Sequence, residues 1–195
     1  LRNPAQAATP PRPVYKQPDM WDLATLQKFR QAASDSPNAD YFELAILTGM
    51  RRSELSGLMW NAVNPVSGKV MVIKTLQRIY GKGLELGQPK TPRSRRSITL
   101  SKSAISLLQS VRMRQIEQRL AAGPAWQETG FVFTQLNGRP MDPDFLSHEF
   151  RKIVKSANLP HLTLHGLRHA HATFLLQKGT HAKIVSERLG HSSIA

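Results

Sequence analysis

The chain has 195 residues, with 27 Lys and Arg against 13 Asp and Glu, a formal net charge of +14 and no cysteine. That length buries one good core with at most a small appendage, and the lack of cysteine excludes disulfides, thiolate zinc sites and cysteine nucleophiles. Excess positive charge in a folded domain points to a polyanion, nucleic acid first and an anionic membrane surface second, although charge alone also fits a basic domain with no such partner.

Residues 1–18 hold five of the thirteen prolines and read as an extended linker. With Leu1 rather than Met at its start, the sequence reads as a fragment in which something is expected to precede this linker. From Trp21 to Ala33 the apolar spacing predicts a helix, and Tyr41 to Leu47 predicts a second, buried one. Thr48-Gly49 interrupts it, and helical spacing resumes from Arg51 to Trp60. Val70, Val72 and Ile73 start a β-rich stretch with a turn at Gly81-Lys82-Gly83. Leu84 to Pro89 and Arg96 to Leu100 are the next strands, joined around Thr91-Pro92-Arg93-Ser94. Ser101 to Leu120 predicts a long helix whose inner face is Ala104, Leu107, Leu108, Val111 and Ile116. Phe131-Val132-Phe133 reads as a short buried strand. Asp144 to Ala157 is a helix with Phe145, Leu146, Phe150, Ile153 and Val154 turned inward. Another opens at Thr163 or His165 and stops at Gly179, and a last one is capped by Thr180 and closed by Gly190. The expected fold is mainly α with a small three-stranded antiparallel β-sheet (α+β).

The charge is uneven. Residues 68–100 carry eight basic side chains against Glu85, and residues 151–195 carry seven against Glu187 together with six of the seven histidines. A membrane-binding helix would need its charge on one continuous helix beside an apolar face. The first basic stretch is not helical, and no apolar run reaches about 18 residues, so no membrane partner is expected.

Four constellations could carry chemistry. In Thr48-Gly49-Met50-Arg51-Arg52-Ser53-Glu54-Leu55, Arg51 and Glu54 share a helical face, where a carboxylate can fix a guanidinium for an anion. As a surface pair the same residues would be worth only ~0.2–1 kcal/mol. In Leu164-His165-Gly166-Leu167-Arg168-His169-Ala170-His171, His165 and Arg168 converge as a phosphate-binding pair, and an imidazole can move a proton near neutral pH. His165 and His169 at i, i+4 admit a zinc reading, but Gly166 stands where a metalloprotease helix carries its glutamate. His169 and His171 read as packing or surface residues. Leu189-Gly190-His191 throws His191 out of a helix end, toward a cleft or simply onto the helix dipole. Pro89-Lys90-Thr91 puts a lysine on a hairpin as a point charge or proton donor. Arg93, Arg95 and Arg96, with Lys82 from the preceding turn, read as DNA-phosphate contacts.

Together these pieces resemble the catalytic domain of the tyrosine recombinases, the phage and conjugative-element integrase family, from about Met20 to the last residue. Thr48-Gly49-x-Arg51-x-x-Glu54-Leu55 is similar to the family's first arginine box, His165-x-x-Arg168-His169 to its second and Leu189-Gly190-His191 to its third. Pro89-Lys90-Thr91 with Arg96-Ser97-Ile98-Thr99-Leu100 is similar to the hairpin bearing its catalytic lysine. The resemblance implies site-specific cleavage and rejoining of double-stranded DNA through a 3′-phosphotyrosine, to integrate or excise a mobile element. Arg51, Arg168 and His191 would hold the phosphate, Lys90 would protonate the leaving 5′ oxygen, His165 would act as general acid/base, and Glu54 would support the arginine helix. It implies that residues 1–18 link a missing N-terminal DNA-binding domain to a catalytic domain over 19–195, and it implies no metal or other cofactor, other integrase protomers as partners in a tetrameric synapse, and a cytoplasmic, nucleoid-associated location. A non-catalytic DNA-binding relative, a type IB topoisomerase and a zinc hydrolase are the rival readings. In the family the nucleophilic tyrosine follows the third-box histidine by about nine or ten positions. Here four residues follow His191, and the tyrosines are Tyr15, Tyr41 and Tyr80. The nucleophile is therefore expected beyond Ala195, and the polypeptide as written is expected to bind DNA without forming the adduct.

Overall fold

The computed structural model describes residues 21–89 and 94–190, and within them seven helices and five short strands follow one another. They are α1 (Leu23–Ala33), α2 (Ala39–Thr48), α3 (Arg52–Ser56), β1 (Val63–Asn64), β2 (Lys69–Val72), β3 (Thr75–Ile79), β4 (Gly83–Gly87), β5 (Arg96–Thr99), α4 (Lys102–Ala122), α5 (Pro143–Ser156), α6 (Gly166–Gln177) and α7 (Ala182–Leu189). The linker 1–18, Lys90, the turn residues Thr91 to Arg93, and His191 lie outside the described residues.

Local chemistry sets the helix ends. Asp22, Ser101 and Asp142 accept hydrogen bonds from backbone N–H groups in the first turns of α1, α4 and α5, at 2.7, 3.2 and 2.9 Å. Pro143 follows Asp142 at the first helical position, where its missing N–H does no harm. At the other end, α2 and α7 both stop on glycines in the left-handed region, Gly49 (φ 64°) and Gly190 (φ 65°). The cap of α7 is His181 rather than Thr180: its Nδ1 reaches the Lys183 N–H at 3.2 Å.

The core is an aromatic stack from three helices. Phe29 of α1, Phe42 of α2 and Phe150 of α5 are fully buried, and Trp21 packs on Phe29 and Phe150 at 5.2 and 5.9 Å between ring centres. Tyr41 lies in the same core, and its hydroxyl bonds to Ser56 Oγ and donates to the Arg52 carbonyl. Burial pushes its phenol well above the ordinary range, although the Ser56 hydrogen bond opposes this.

The helical class and small antiparallel sheet match the sequence reading, but the strands are arranged differently. β1, β2 and β5 form one antiparallel sheet, with Val70 opposite Ile98 and Val72 opposite Arg96. β3 and β4 form a separate hairpin, with Ile79 opposite Gly83 across the glycine-rich turn. The expected strand at Leu84 thus pairs with Thr75–Ile79, whose partly exposed pattern hid it, and not with β5. Arg51–Trp60 is shorter than expected, because α3 ends at Ser56 and Arg51 sits just before it as its N-cap. On α4 the buried face runs through Gln115 instead of Ile116. The Gln115 amide donates to Phe131 O and Thr134 Oγ1 and accepts from Trp60 Nε1, so it satisfies a segment that has only isolated bridges. Phe145, expected inward, is exposed. Among the described residues, no helix is long and apolar enough to cross a membrane.

α3 is held against β3 at Gly57, where a Cβ would stand 2.7 Å from Leu76 N and 2.8 Å from Thr75 Cα. Its φ of −88° suits any residue, so only the close approach demands glycine. Gly57→Ala is expected to lower stability by about 1–3 kcal/mol in urea denaturation, because β3 must back away from α3.

Candidate active site: an arginine cluster on a buried glutamate

Four elements converge on Glu54. It sits at the third position of α3, where its side chain reaches back to the Arg51 N–H at 2.9 Å and so caps its own helix. The same carboxylate accepts from Arg51 Nη1 (2.7 Å), Arg96 Nη1 (2.9 Å) and Arg96 Nη2 (2.8 Å). Each oxygen thus takes two hydrogen bonds, which fills the acceptor capacity of a carboxylate. Glu54 is 2% exposed. Burial alone would raise its pKa, but the Arg96 hydrogen bonds and charge, followed by Arg51, outweigh that and hold it below the usual carboxylate range.

Arg168, on the first turn of α6, is also 2% exposed. Its Nη1 donates to Gly49 O at 2.9 Å, and its Nη2 donates to Leu189 O. Burial lowers its pKa to about 9, with the Arg51 and Arg96 charges adding to the effect and Glu54 opposing it. It stays protonated at neutral pH, so three guanidinia share one carboxylate here.

The same arginines hold the end of α7. Arg96 Nε donates to Arg188 O (2.6 Å), Arg168 to Leu189 O, and Arg51 Nη2 to Gly190 O (3.1 Å). Three successive carbonyls that the helix leaves unsatisfied each receive a cation.

Of the residues singled out in sequence, Arg51, Glu54 and Arg168 are brought together. His165 is exposed at the N-cap of α6, and its carbonyl accepts from the Arg168 N–H at 3.1 Å. Its ring stands edge-on to His169, 5.0 Å between centres. Lys82 lies exposed in the β3–β4 turn, and Arg95 is exposed and donates to Gln88 Oε1. Lys90, Arg93 and His191 fall outside the described residues. Arg96 requires a correction. Grouped with the DNA-contacting arginines in sequence, it is instead buried, with its side chain 6% exposed and turned onto Glu54. Strand alternation could have shown this, since Arg96 shares the inward face of β5 with Ile98.

His171, read as packing or surface, is a half-buried link between elements. Its Nδ1 bonds to Ile46 O (2.8 Å), and its Nε2 receives Arg188 Nε (3.3 Å). An arginine can only donate, so Nε2 is the acceptor, Nδ1 carries the proton and the ring is neutral. Burial drives its pKa down to about 4, with the Arg188 charge second. Arg188 also donates to Thr99 O at 2.8 Å, which ties α7 to β5. Among the described residues, no group of three or more His, Asp or Glu is arranged to hold a metal ion.

A cluster of guanidinia with one carboxylate, in a mainly helical domain with small antiparallel sheets, carries the donors and the excess positive charge that holding an oxyanion requires. Residues 22–195 match the model of the phage integrase family, and the chain belongs to that family. It is 32% identical to a tyrosine recombinase XerC-like protein of Caldanaerobacter subterraneus subsp. tengcongensis, over 96% of this chain and 51% of that protein. It is 31% identical to an integrase of Streptomyces ambofaciens, over 89% of this chain and 46% of that one. The chain thus spans about half the length of these curated relatives. In fold it is similar to the Tn1549 transposon integrase solved with transposon right end DNA, with a TM-score of 0.80 at 24% identity, covering 92% of this chain and 60% of that one.

The low pKa of His171 has a consequence for stability. Its folded value, about 4, lies below the ordinary 6.5, so between these values the unfolded chain takes up a proton that the folded chain refuses. Stability from this group is present above about pH 6.5 and is lost as pH falls toward about 4. His171→Asn, which keeps a donor for Ile46 O, is expected to flatten this slope by up to about 3 kcal/mol in denaturation at stepped pH. A variant with the same slope as the parent would contradict it.

Proposed function

We propose that these residues form the catalytic part of a site-specific DNA recombinase, which cleaves and rejoins double-stranded DNA through a phosphotyrosine to integrate or excise a mobile element. The observation that carries this reading is the cluster of half-buried Arg51 and buried Arg96 and Arg168 around one carboxylate among the described residues, that of Glu54. Such an arrangement holds more positive charge than its carboxylate balances, and a phosphodiester supplies the missing anion.

In this reading a tyrosine oxygen bonds to the scissile phosphorus as the bond to the 5′ oxygen breaks. The tyrosine proton passes to His165, and Lys90 gives a proton to the departing 5′ oxygen. Arg51, Arg168 and His191 donate to the non-bridging oxygens, where charge builds in the transition state. Losing one such preorganised donor costs about 2.7–4 kcal/mol of barrier. Glu54 supports Arg51 without touching DNA. The bond energy is kept in the phosphotyrosine, so the chemistry needs neither nucleotide nor metal. Lys82, Arg93 and Arg95 contact flanking phosphates. Other protomers of the same protein assemble with it on paired DNA sites.

Buried Tyr41 is unsuited to attack, and neither Tyr15 nor Tyr80 occupies the family's nucleophile position, so the nucleophile is placed at none of the three tyrosines. The polypeptide of residues 1–195 is expected to bind duplex DNA with an affinity that falls about a thousandfold or more between about 50 and 200 mM salt, measured by fluorescence anisotropy. With a nicked duplex carrying the target site it is expected to give no covalent band on a denaturing gel. A covalent band from protein verified to end at Ala195 would contradict the placement of the nucleophile, and salt-insensitive binding would contradict the phosphate reading.

A further inference from the structure

Among the described residues, Arg96 is the guanidinium of the cluster with most of its donors committed to protein. Two of its N–H groups hold the two oxygens of Glu54, one holds Arg188 O and one holds Ser94 O, so four of its five donors are committed to protein. It lies on β5, behind Glu54, with its side chain 6% exposed, whereas the Arg51 side chain is 33% exposed. Among the described residues, Arg51 spends one Nη1 donor on Glu54 and one Nη2 donor on Gly190 O. Its other N–H groups make no hydrogen bond to the described residues.

We infer that Arg96 is a positioning residue: it sets the Arg51 guanidinium through the shared Glu54 carboxylate and holds the C-terminal end of α7 through the Arg188 carbonyl. This rests on the reading of the cluster as a phosphate seat. The geometry separates two contributions of Arg96. Its charge keeps the buried Glu54 ionised, and its planar fork fixes both carboxylate oxygens so that Arg51 finds them in one orientation. The charged groups around Glu54 are Arg51 beside its own helix, Arg96 from β5, and Arg168 from α6. At the α7 end the contacts to these arginines are backbone carbonyls, and the Arg188 guanidinium is turned to His171 and Thr99.

Lysine retains the charge without the fork, and glutamine retains neither. The test titrates the 195-residue chain with inorganic phosphate and follows the arginine Nε–Hε NMR signals, at stepped pH, with circular dichroism to verify folding. In the parent chain, Arg51 and Arg168 are expected to respond along one binding curve. Arg96→Lys is expected to weaken phosphate binding about tenfold with its acid limb unmoved. Arg96→Gln is expected to weaken it at least as much and to shift the acid limb to higher pH, because Glu54 stays buried without its main counter-charge. Arg119→Gln, which removes only the exposed pair with Glu128, is expected to match the parent. If Arg96→Gln does not fold, Arg96→Lys alone decides. Variants that are folded but less stable, with parental phosphate affinity and pH response at Arg51, would overturn the inference and leave the phosphate seat intact. No phosphate response at Arg51 or Arg168 in the parent chain would overturn the seat itself, and the inference with it.

Discussion

A single carboxylate, buried and bonded on both oxygens, organises this molecule. Glu54 closes the first turn of α3, draws Arg96 inward from β5 and fixes Arg51 at the helix entrance. Removing one partner of a buried ion pair costs about 3–5 kcal/mol, because the survivor is left uncompensated. The pair therefore locks helix α3, the small sheet and the end of α7 into one unit. An isolated carboxylate at this depth would take up a proton; the two arginines are what keep it charged.

The second constraint is how chain ends are satisfied. The helices α2 and α7 both close on left-handed glycines, and their last carbonyls turn toward the arginines. At Gly49 the geometry is doubly demanding. Its φ is positive, and a Cβ there would lie 2.6 Å from His171 Cδ2 and 2.8 Å from Leu189 Cδ2. The Thr48-Gly49-x-Arg51 pattern is thus a packing requirement as well as a chemical one: glycine admits α6 and α7 close enough for Arg168 to bridge Gly49 O and Leu189 O. Neutral His171 completes the joint by passing a hydrogen bond from Arg188 to Ile46.

The sequence showed most of the helices, since apolar spacing and caps such as Ser101 and Gly190 act locally. It showed Arg51, Glu54 and Arg168 as a candidate group because each belongs to a compact motif. It did not show which arginines of the basic stretch face inward. Arg95 and Arg96 are adjacent and chemically alike, and only strand alternation, with Arg96 in register with Ile98, separates the exposed one from the buried one. The strand pairing was hidden for a related reason. β3 pairs only with β4 and stays half exposed, so it lacks the apolar signature of β2. Tertiary partners also decided His171, whose role depends on Ile46 and Arg188, far from it in sequence.

The proposed function comes down to one claim: an arginine cluster, charged in excess and held in place by Glu54, binds a phosphate of DNA. The most direct measurement is a crystal structure of the chain grown with duplex DNA and vanadate. The account predicts an oxyanion within hydrogen-bond distance of Arg51 and Arg168, with Arg96 still paired to Glu54 behind them. An oxyanion bound only to exposed side chains such as Lys82 or Arg95, with the cluster unoccupied, would contradict it.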